Sequence, residues 1–133
     1  MLLDDAEMME DLTLRKSCQK ISHSEDDSIT FRFLSPLPSP EYSPEAVLIH
    51  FEIAPHAQDV TEPVRHHSEE ILYVTEGELT VQIGDRDIVL MEGDTTVIQK
   101  NLPHICKNNS HVPVKGISVI SPPVWGKMNE IGD

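Results

Sequence analysis

Between residues 46 and 120 the chain repeats one pattern: short runs of alternating apolar and polar positions, cut by glycine and acidic residues. In "AVLIHFEI" (46–53), Ile49, Phe51 and Ile53 share one face while His50 and Glu52 share the other, the period of two of a half-buried strand. The runs "EEILYV", "GELTVQI", "DIVLM", "TTVIQ" and "VKGISVI" read the same way. Their separators "TEGE", "GDRD" and "MEGD" suit tight turns between antiparallel strands. No long helical period interrupts the series, so the pattern predicts an all-β domain, a sandwich or a barrel. Upstream, "SPLPSPEYSPE" (35–45) holds four prolines, which fix φ and remove backbone donors, and predicts a surface loop. Residues 1–30 are polar and acidic without a sustained period; they read as an N-terminal arm, with a short helix or an edge strand near "LTLRKSCQKI".

Length and charge narrow the picture. The 133 residues fit one domain with a real core, divided into the arm (1–30), a β-barrel (31–125) and a C-terminal tail (126–133). With 23 acidic against 10 basic side chains, the net charge of -13 argues against direct nucleic-acid binding and against anionic membrane surfaces. No apolar run approaches the roughly 20 residues of a membrane span, and "MLLDDAEMMEDL" places acids where a secretory signal needs basic residues, so a cytoplasmic location is expected. Asp4, Asp5, Glu7, Glu10 and Asp11 form an acidic cluster best read as solvated. Cys18 and Cys106 are too few for a disulfide framework and form no C-x-x-C pair; two free thiols are expected.

Candidate chemistry concentrates in "VRHHSEEILYVTEG" (64–77). If this stretch is extended, Val64, His66, Ser68, Glu70, Leu72 and Val74 point one way, and Arg65, His67, Glu69, Ile71 and Tyr73 the other. His66 and Glu70 thus share a face, and a bend near Ser68 would let both converge on one ion. A neutral imidazole and an ionised carboxylate suit divalent transition metals, although such a pair at a strand start also fits plain solvent exposure. A second stretch, "GDTTVIQKNLPHICKNN", sets His104 eleven residues after Gly93 and Asn108 four residues later.

Together these stretches resemble the two motifs of the cupins, G-x5-H-x-H-x(3,4)-E-x6-G and G-x5-P-x-G-x2-H-x3-N. His66, Glu70, Gly77, Gly93, His104 and Asn108 match in order and spacing, six of the ten motif positions, and fifteen residues separate Gly77 from Gly93. The resemblance covers about residues 46–122. It implies a single RmlC-like jelly-roll barrel (a double-stranded β-helix). The departures are Gln58 for the first glycine, Val64 for the first metal-binding histidine, Gln99 for the proline and Asn101 for the second glycine. What the resemblance leaves is a two-His, one-Glu set, His66, Glu70 and His104, able to hold Fe, Mn, Ni or Zn with open positions. A fourth ligand from His67 through a bulge, or from His50, is an alternative, as is loss of the metal. The implied function is a metal-dependent enzyme, oxygenase-like or isomerase/lyase-like, acting on a small molecule, with Glu70 as a candidate catalytic base. The competing reading is a non-catalytic sensor or binding module, related to the effector domains of transcription regulators. The resemblance further implies a homodimer formed through edge strands.

Among the remaining residues, Cys106 is expected to face the same interior as His104 as a small buried hydrophobe. Asn108 is expected to tie a turn. Tyr73 is expected to pack in the core or an interface, Trp125 to anchor the chain end, and His23, His56 and His111 to lie in solvent-exposed loops.

Overall fold

The structure, a computed structural model, describes residues 9–61 and 63–123. Trp125, the tail, and Asp4, Asp5 and Glu7 of the acidic cluster lie outside the described residues. The strands are β1 (Met9–Glu10), β2 (Thr13–Leu14), β3 (Ile21–His23), β4 (Ile29–Phe33), β5 (Val47–Ile53), β6 (Glu69–Glu76), β7 (Leu79–Ile83), β8 (Arg86–Leu90), β9 (Thr95–Ile98), β10 (His104–Lys107) and β11 (Val114–Ser121), with one 3-10 turn at Lys16–Cys18. All pairings are antiparallel. A six-stranded sheet in the order β3-β4-β5-β11-β6-β9 faces a three-stranded sheet in the order β10-β7-β8, and β1 and β2 form a separate ribbon. This is the all-β architecture expected from the strand pattern, in the jelly-roll form that the resemblance implied.

Six of the strands coincide with the six alternating runs. Two others, β4 and β10, lie outside those runs. "HICK" is only four residues long, opens just after Pro103 and is buried at three successive positions, so it carries no alternation to detect. The arm contains both structures expected near "LTLRKSCQKI", the 3-10 turn and the edge strand β3, which pairs with β4 from Ile21↔Arg32 to His23↔Thr30. The proline-rich stretch runs as a loop, closed by the Leu48 N–H donating to the Ser35 hydroxyl (2.8 Å).

The core lies between the two sheets. β5 and β11 alternate strictly between buried and half-buried residues; Phe51, Ile53, Leu72 and Val74 meet Leu79 and Val81 from the opposite sheet, while Ile49 packs with Phe33, Val47 and Ile120. Gly116 sits in β11 beneath the Phe51 ring, where a Cβ would overlap that ring and the Tyr73 carbonyl. A glycine there is what lets Phe51 lie flat along the barrel wall. On the outer face, Ile71, Tyr73 and Val97 are 37%, 42% and 46% exposed, and Ile71 pairs directly with Val97 across β6 and β9.

Turn chemistry explains two of the motif positions. Gly77 has φ +88°, and a Cβ there would come within 2.7 Å of the Pro113 carbonyl. Asn101, at the motif's second glycine, has φ +66°, a left-handed conformation that asparagine tolerates better than most residues. The substitution therefore keeps the turn that the glycine would make.

Candidate metal centre

The chain bends at His67 and Ser68 before β6 begins, and the parity of the segment holds through the bend: His66, Ser68, Leu72 and Val74 are buried and Glu70 nearly so, while Arg65, His67, Glu69, Ile71 and Tyr73 are exposed. The bend turns His66 back toward Glu70, four residues on. His104, at the start of β10, is brought alongside by a bridge to Val64: the Val64 N–H donates to the His104 carbonyl (3.0 Å) and the His104 N–H donates to the Val64 carbonyl (2.9 Å). The positive-φ turn also takes part, because the Asn101 N–H donates to the His66 carbonyl (2.8 Å).

These contacts gather three side chains. His66 Nε2 and His104 Nε2 each lie 3.7 Å from Glu70 Oε1, with side-chain exposures of 6%, 4% and 13% for His66, His104 and Glu70. The two imidazole rings stand edge to face, with centroids 4.9 Å apart. The tautomers follow from the carbonyls behind the rings: His66 Nδ1 lies 3.0 Å from the Ser68 carbonyl and His104 Nδ1 lies 2.9 Å from the Leu102 carbonyl. A carbonyl oxygen only accepts, so each Nδ1 carries a proton, and in the neutral imidazole that a metal requires each Nε2 turns a lone pair toward Glu70. This backbone support is what a metal-binding histidine needs in order to fix its ring. Glu70 is held in the same manner, its Oε2 accepting from the Ser118 hydroxyl at 2.7 Å.

The three ligand atoms lie within 4.8 Å of one another, which one ion at the usual ~2.0–2.2 Å N and O distances can span. Without an ion, three lone-pair-bearing atoms face each other in a nearly dry site, which is an unfavourable arrangement. The donor set therefore fits a divalent transition metal. His67 is exposed and His50 lies on the opposite face of β5, so neither supplies a fourth ligand here. Burial pulls the His50 pKa below its ordinary value, with Glu52 opposing that shift.

Beside the cluster opens a pocket between the sheets, lined on one wall by Asp59, Glu70, Cys106 and Ser118 and elsewhere by apolar side chains that include Phe31 and Phe51. The Cys106 N–H donates to Asp59 Oδ1 (2.9 Å) and the Asp59 N–H donates to the Cys106 carbonyl (2.9 Å). Burial pushes the Asp59 carboxyl up to about 6; the Cys106 N–H pulls it down, and the nearby Glu70 pushes it up again. The Cys106 thiol is raised well above its ordinary range, first by burial and then by Asp59 and Glu70, so it stays protonated and serves as a small wall residue, as expected.

Asn108 has the structural role anticipated for it. Fully buried, it donates through Nδ2 to the Ile53 and Val112 carbonyls (3.0 and 2.7 Å) and accepts at Oδ1 from the Ser110 N–H and hydroxyl (2.9 and 2.7 Å). His56 and His111 are exposed as expected, and their rings also meet each other, Nε2 to Nδ1 at 3.2 Å. Sequence reasoning missed Ser118 and Asp59. Ser118 left a trace, as the one polar residue on the inward face of β11 among Val114, Gly116 and Ile120. Asp59 left none beyond its place next to Gln58.

Residues 49–120 match Cupin_2, the cupin domain family. The chain belongs to the cupin family. Among characterised relatives, the tetracenomycin polyketide synthase protein TcmJ of Streptomyces glaucescens is 29% identical over 85 residues, 64% of this cupin and 56% of TcmJ. This cupin thus spans a little over half the length of that relative. Among solved structures, the polyketide cyclase RemF of Streptomyces resistomycificus superposes with a TM-score of 0.66 at 23% identity, covering 87% of this cupin and 83% of RemF. The Cupin_2 domain of an XRE-family transcriptional regulator of Enterobacter cloacae superposes with a TM-score of 0.60 at 24% identity, covering 72% of this cupin and 98% of that domain. At these identities the structural likeness is one of fold.

Proposed function

We propose that this cupin is a metal-dependent enzyme that binds one divalent transition ion through His66, Glu70 and His104 and acts on a small molecule held in the adjoining pocket. One observation carries the reading: two Nε2 lone pairs and a carboxylate oxygen converge within 4.8 Å at the edge of an apolar pocket, each ligand oriented from behind by a carbonyl or a hydroxyl. A divalent ion in that position supplies a Lewis acid with open coordination sites, suited to oxygenase-like or isomerase/lyase-like chemistry. The residues do the rest: Ser118 and the two carbonyls fix the ligand geometry, and the apolar walls exclude water from the reacting groups. TcmJ and RemF, both named for polyketide chemistry, are consistent with an enzyme on this scaffold.

The regulator-derived cupin domain favours a second reading, a binding module without catalysis. Replacing His66 and Glu70 together with alanine separates the two. For an enzyme, oxygen uptake or product formation by anaerobically Fe(II)-reconstituted protein disappears while small-molecule binding persists. Unchanged ligand response in the metal-free double variant, with no turnover in the parent under any metal, contradicts the enzyme. We propose as well that two copies associate, supported by the exposed apolar residues Ile71, Tyr73 and Val97. Light scattering is expected to return the mass of two chains, and a single-chain mass contradicts it.

A further inference from the structure

The pocket beside the candidate metal centre has a one-sided chemistry. Its empty space comes to about 360 Å³, a figure that includes the open solvent at its mouth. Six of its ten lining residues are aliphatic or aromatic, with Phe31 and Phe51 supplying the two rings. The polar residues share one wall, and the donors there are already committed. The Ser118 hydroxyl donates to Glu70, and the Cys106 N–H donates to Asp59, with the thiol of Cys106 beside the same carboxylate. What this wall turns to a ligand is therefore acceptor oxygen. Both carboxylates are engaged, Glu70 with Oε1 toward the histidines and Oε2 toward Ser118, and Asp59 with the Cys106 N–H and thiol; a carboxylate has about four acceptor sites, and Asp59, outside the His66/Glu70/His104 cluster, keeps acceptor capacity for a ligand in the pocket it lines. Among the described lining residues there is neither lysine nor arginine, so a phosphate or carboxylate would meet two carboxylates and no side-chain cation.

We propose that this pocket takes a neutral, ring-sized, mainly apolar molecule bearing a hydroxyl group, which donates a hydrogen bond to Asp59 while the ring packs against Phe31 and Phe51. The proposal rests on reading the metal-flanked pocket as the ligand site, and names the ligand class that site selects. It discriminates by the rule that a site built to pair one polar group rejects an analogue lacking it, because the site's own polar atom is then left desolvated and unpaired. Before any ion is bound, sugar phosphates and other anionic metabolites are disfavoured by the same wall.

The test uses three probes of one shape: p-cresol, toluene and p-tolyl phosphate. Dissociation constants are measured by methyl and amide NMR shifts on the protein as purified and again after chelation, with metal content determined separately on the same samples. In both forms p-cresol is expected to bind at least tenfold more tightly than toluene, and in the chelated form at least tenfold more tightly than p-tolyl phosphate as well, with the largest shifts at the lining residues Ile49, Ile53, Leu72 and Ile120. Asp59→Asn keeps an oxygen for the Cys106 N–H, and is expected to weaken p-cresol about tenfold while leaving toluene unchanged. Phe31→Ala, at a half-buried position, is expected to weaken p-cresol and toluene alike. Protein that takes up no Fe(II), Mn(II), Ni(II) or Zn(II) and keeps this rank order refutes the metal reading and supports the ligand class. Chelated protein that binds p-tolyl phosphate as tightly as p-cresol, or protein that binds none of the three or loses no p-cresol affinity in Asp59→Asn, overturns the ligand class.

Discussion

Two buried polar regions of this cupin, the Asn108 turn and the His66/Glu70/His104 cluster, carry motif residues only a few positions apart in the chain yet are built on opposite principles. At Asn108 every polar valence finds a partner of opposite kind: two carbonyls take its amide hydrogens, and an N–H and a hydroxyl meet its oxygen. At the cluster the His66 and His104 Nδ1 atoms and Glu70 Oε2 are held from behind, and His66 Nε2, His104 Nε2 and Glu70 Oε1 converge. The first arrangement is self-sufficient, and its satisfied network stabilises the barrel end. The second presents a donor set that a divalent cation would complete. Complementarity of donors and acceptors thus separates scaffold from site in a way that burial alone does not, since Asn108, His66 and His104 are all buried.

The largest effect is expected where the satisfied network is broken. Asn108→Ala removes a fully buried amide, leaves the Ile53 carbonyl without it in the interior and unties the half-buried Ser110 donors, and should cost about 3 kcal/mol of unfolding free energy. Chemical denaturation of the metal-free variant measures this; a loss below about 1 kcal/mol would erase the contrast. Glu70→Gln inverts the experiment. Metal affinity, followed by calorimetric titration with Zn(II), should fall by about a hundredfold, while the stability of the metal-free protein holds or rises as a buried carboxylate disappears. A metal-free protein destabilised as severely as Asn108→Ala would show that Glu70 belongs to the scaffold.

Asp59 sharpens the comparison through pH. Its folded pKa of about 6 lies above the ordinary 3.8, so between these values the folded state holds more protons than the unfolded chain. Its contribution to stability is therefore fullest below about pH 4, declines as pH rises to about 6, and is flat above that. In the metal-free protein Asp59→Asn should remove this decline, gaining about 2 kcal/mol relative to the parent at pH 8 compared with pH 4. Parallel pH profiles of the two melting curves would contradict the assignment. The smallest effect is expected at Ser118→Ala. Loss of the hydroxyl that orients Glu70 should weaken Zn(II) about tenfold with little change in fold, and an unchanged affinity would mean that the carboxylate needs no support from β11.

Much of this contrast could be read in the chain before any coordinates. The period of two placed His66 and Glu70 on one face and sent His67 to the other, and the burial of residues 65–74 follows that parity residue by residue. The expected role of Asn108 came from its type at the last position of the second motif, because asparagine's local hydrogen bonding is a short-range property. Ser118 and Asp59 were not legible in the same way. Ser118 meets Glu70 only because the β11–β6 register sets Ile120 opposite Glu70 and Ser118 opposite Leu72, which places the hydroxyl diagonally across from the carboxylate. Asp59 meets Cys106 through a loop that runs back along β10, a contact with no local signal. Val64 shows the same limit. Its type says that a histidine is missing, but only its bridge to His104 shows that the backbone at this position still holds a ligand in place.

The central claim, that His66, Glu70 and His104 close around a single ion, is tested most directly by metal stoichiometry. The chelated protein is reconstituted in turn with Fe(II), Mn(II), Ni(II) and Zn(II), desalted and analysed for metal, with the melting temperature recorded on the same samples. The account predicts close to one ion per chain for at least one of the four, a raised melting temperature in that sample, and loss of both in Glu70→Ala with His104→Ala. Retention of none of the four ions, together with an unchanged melting temperature, would contradict it.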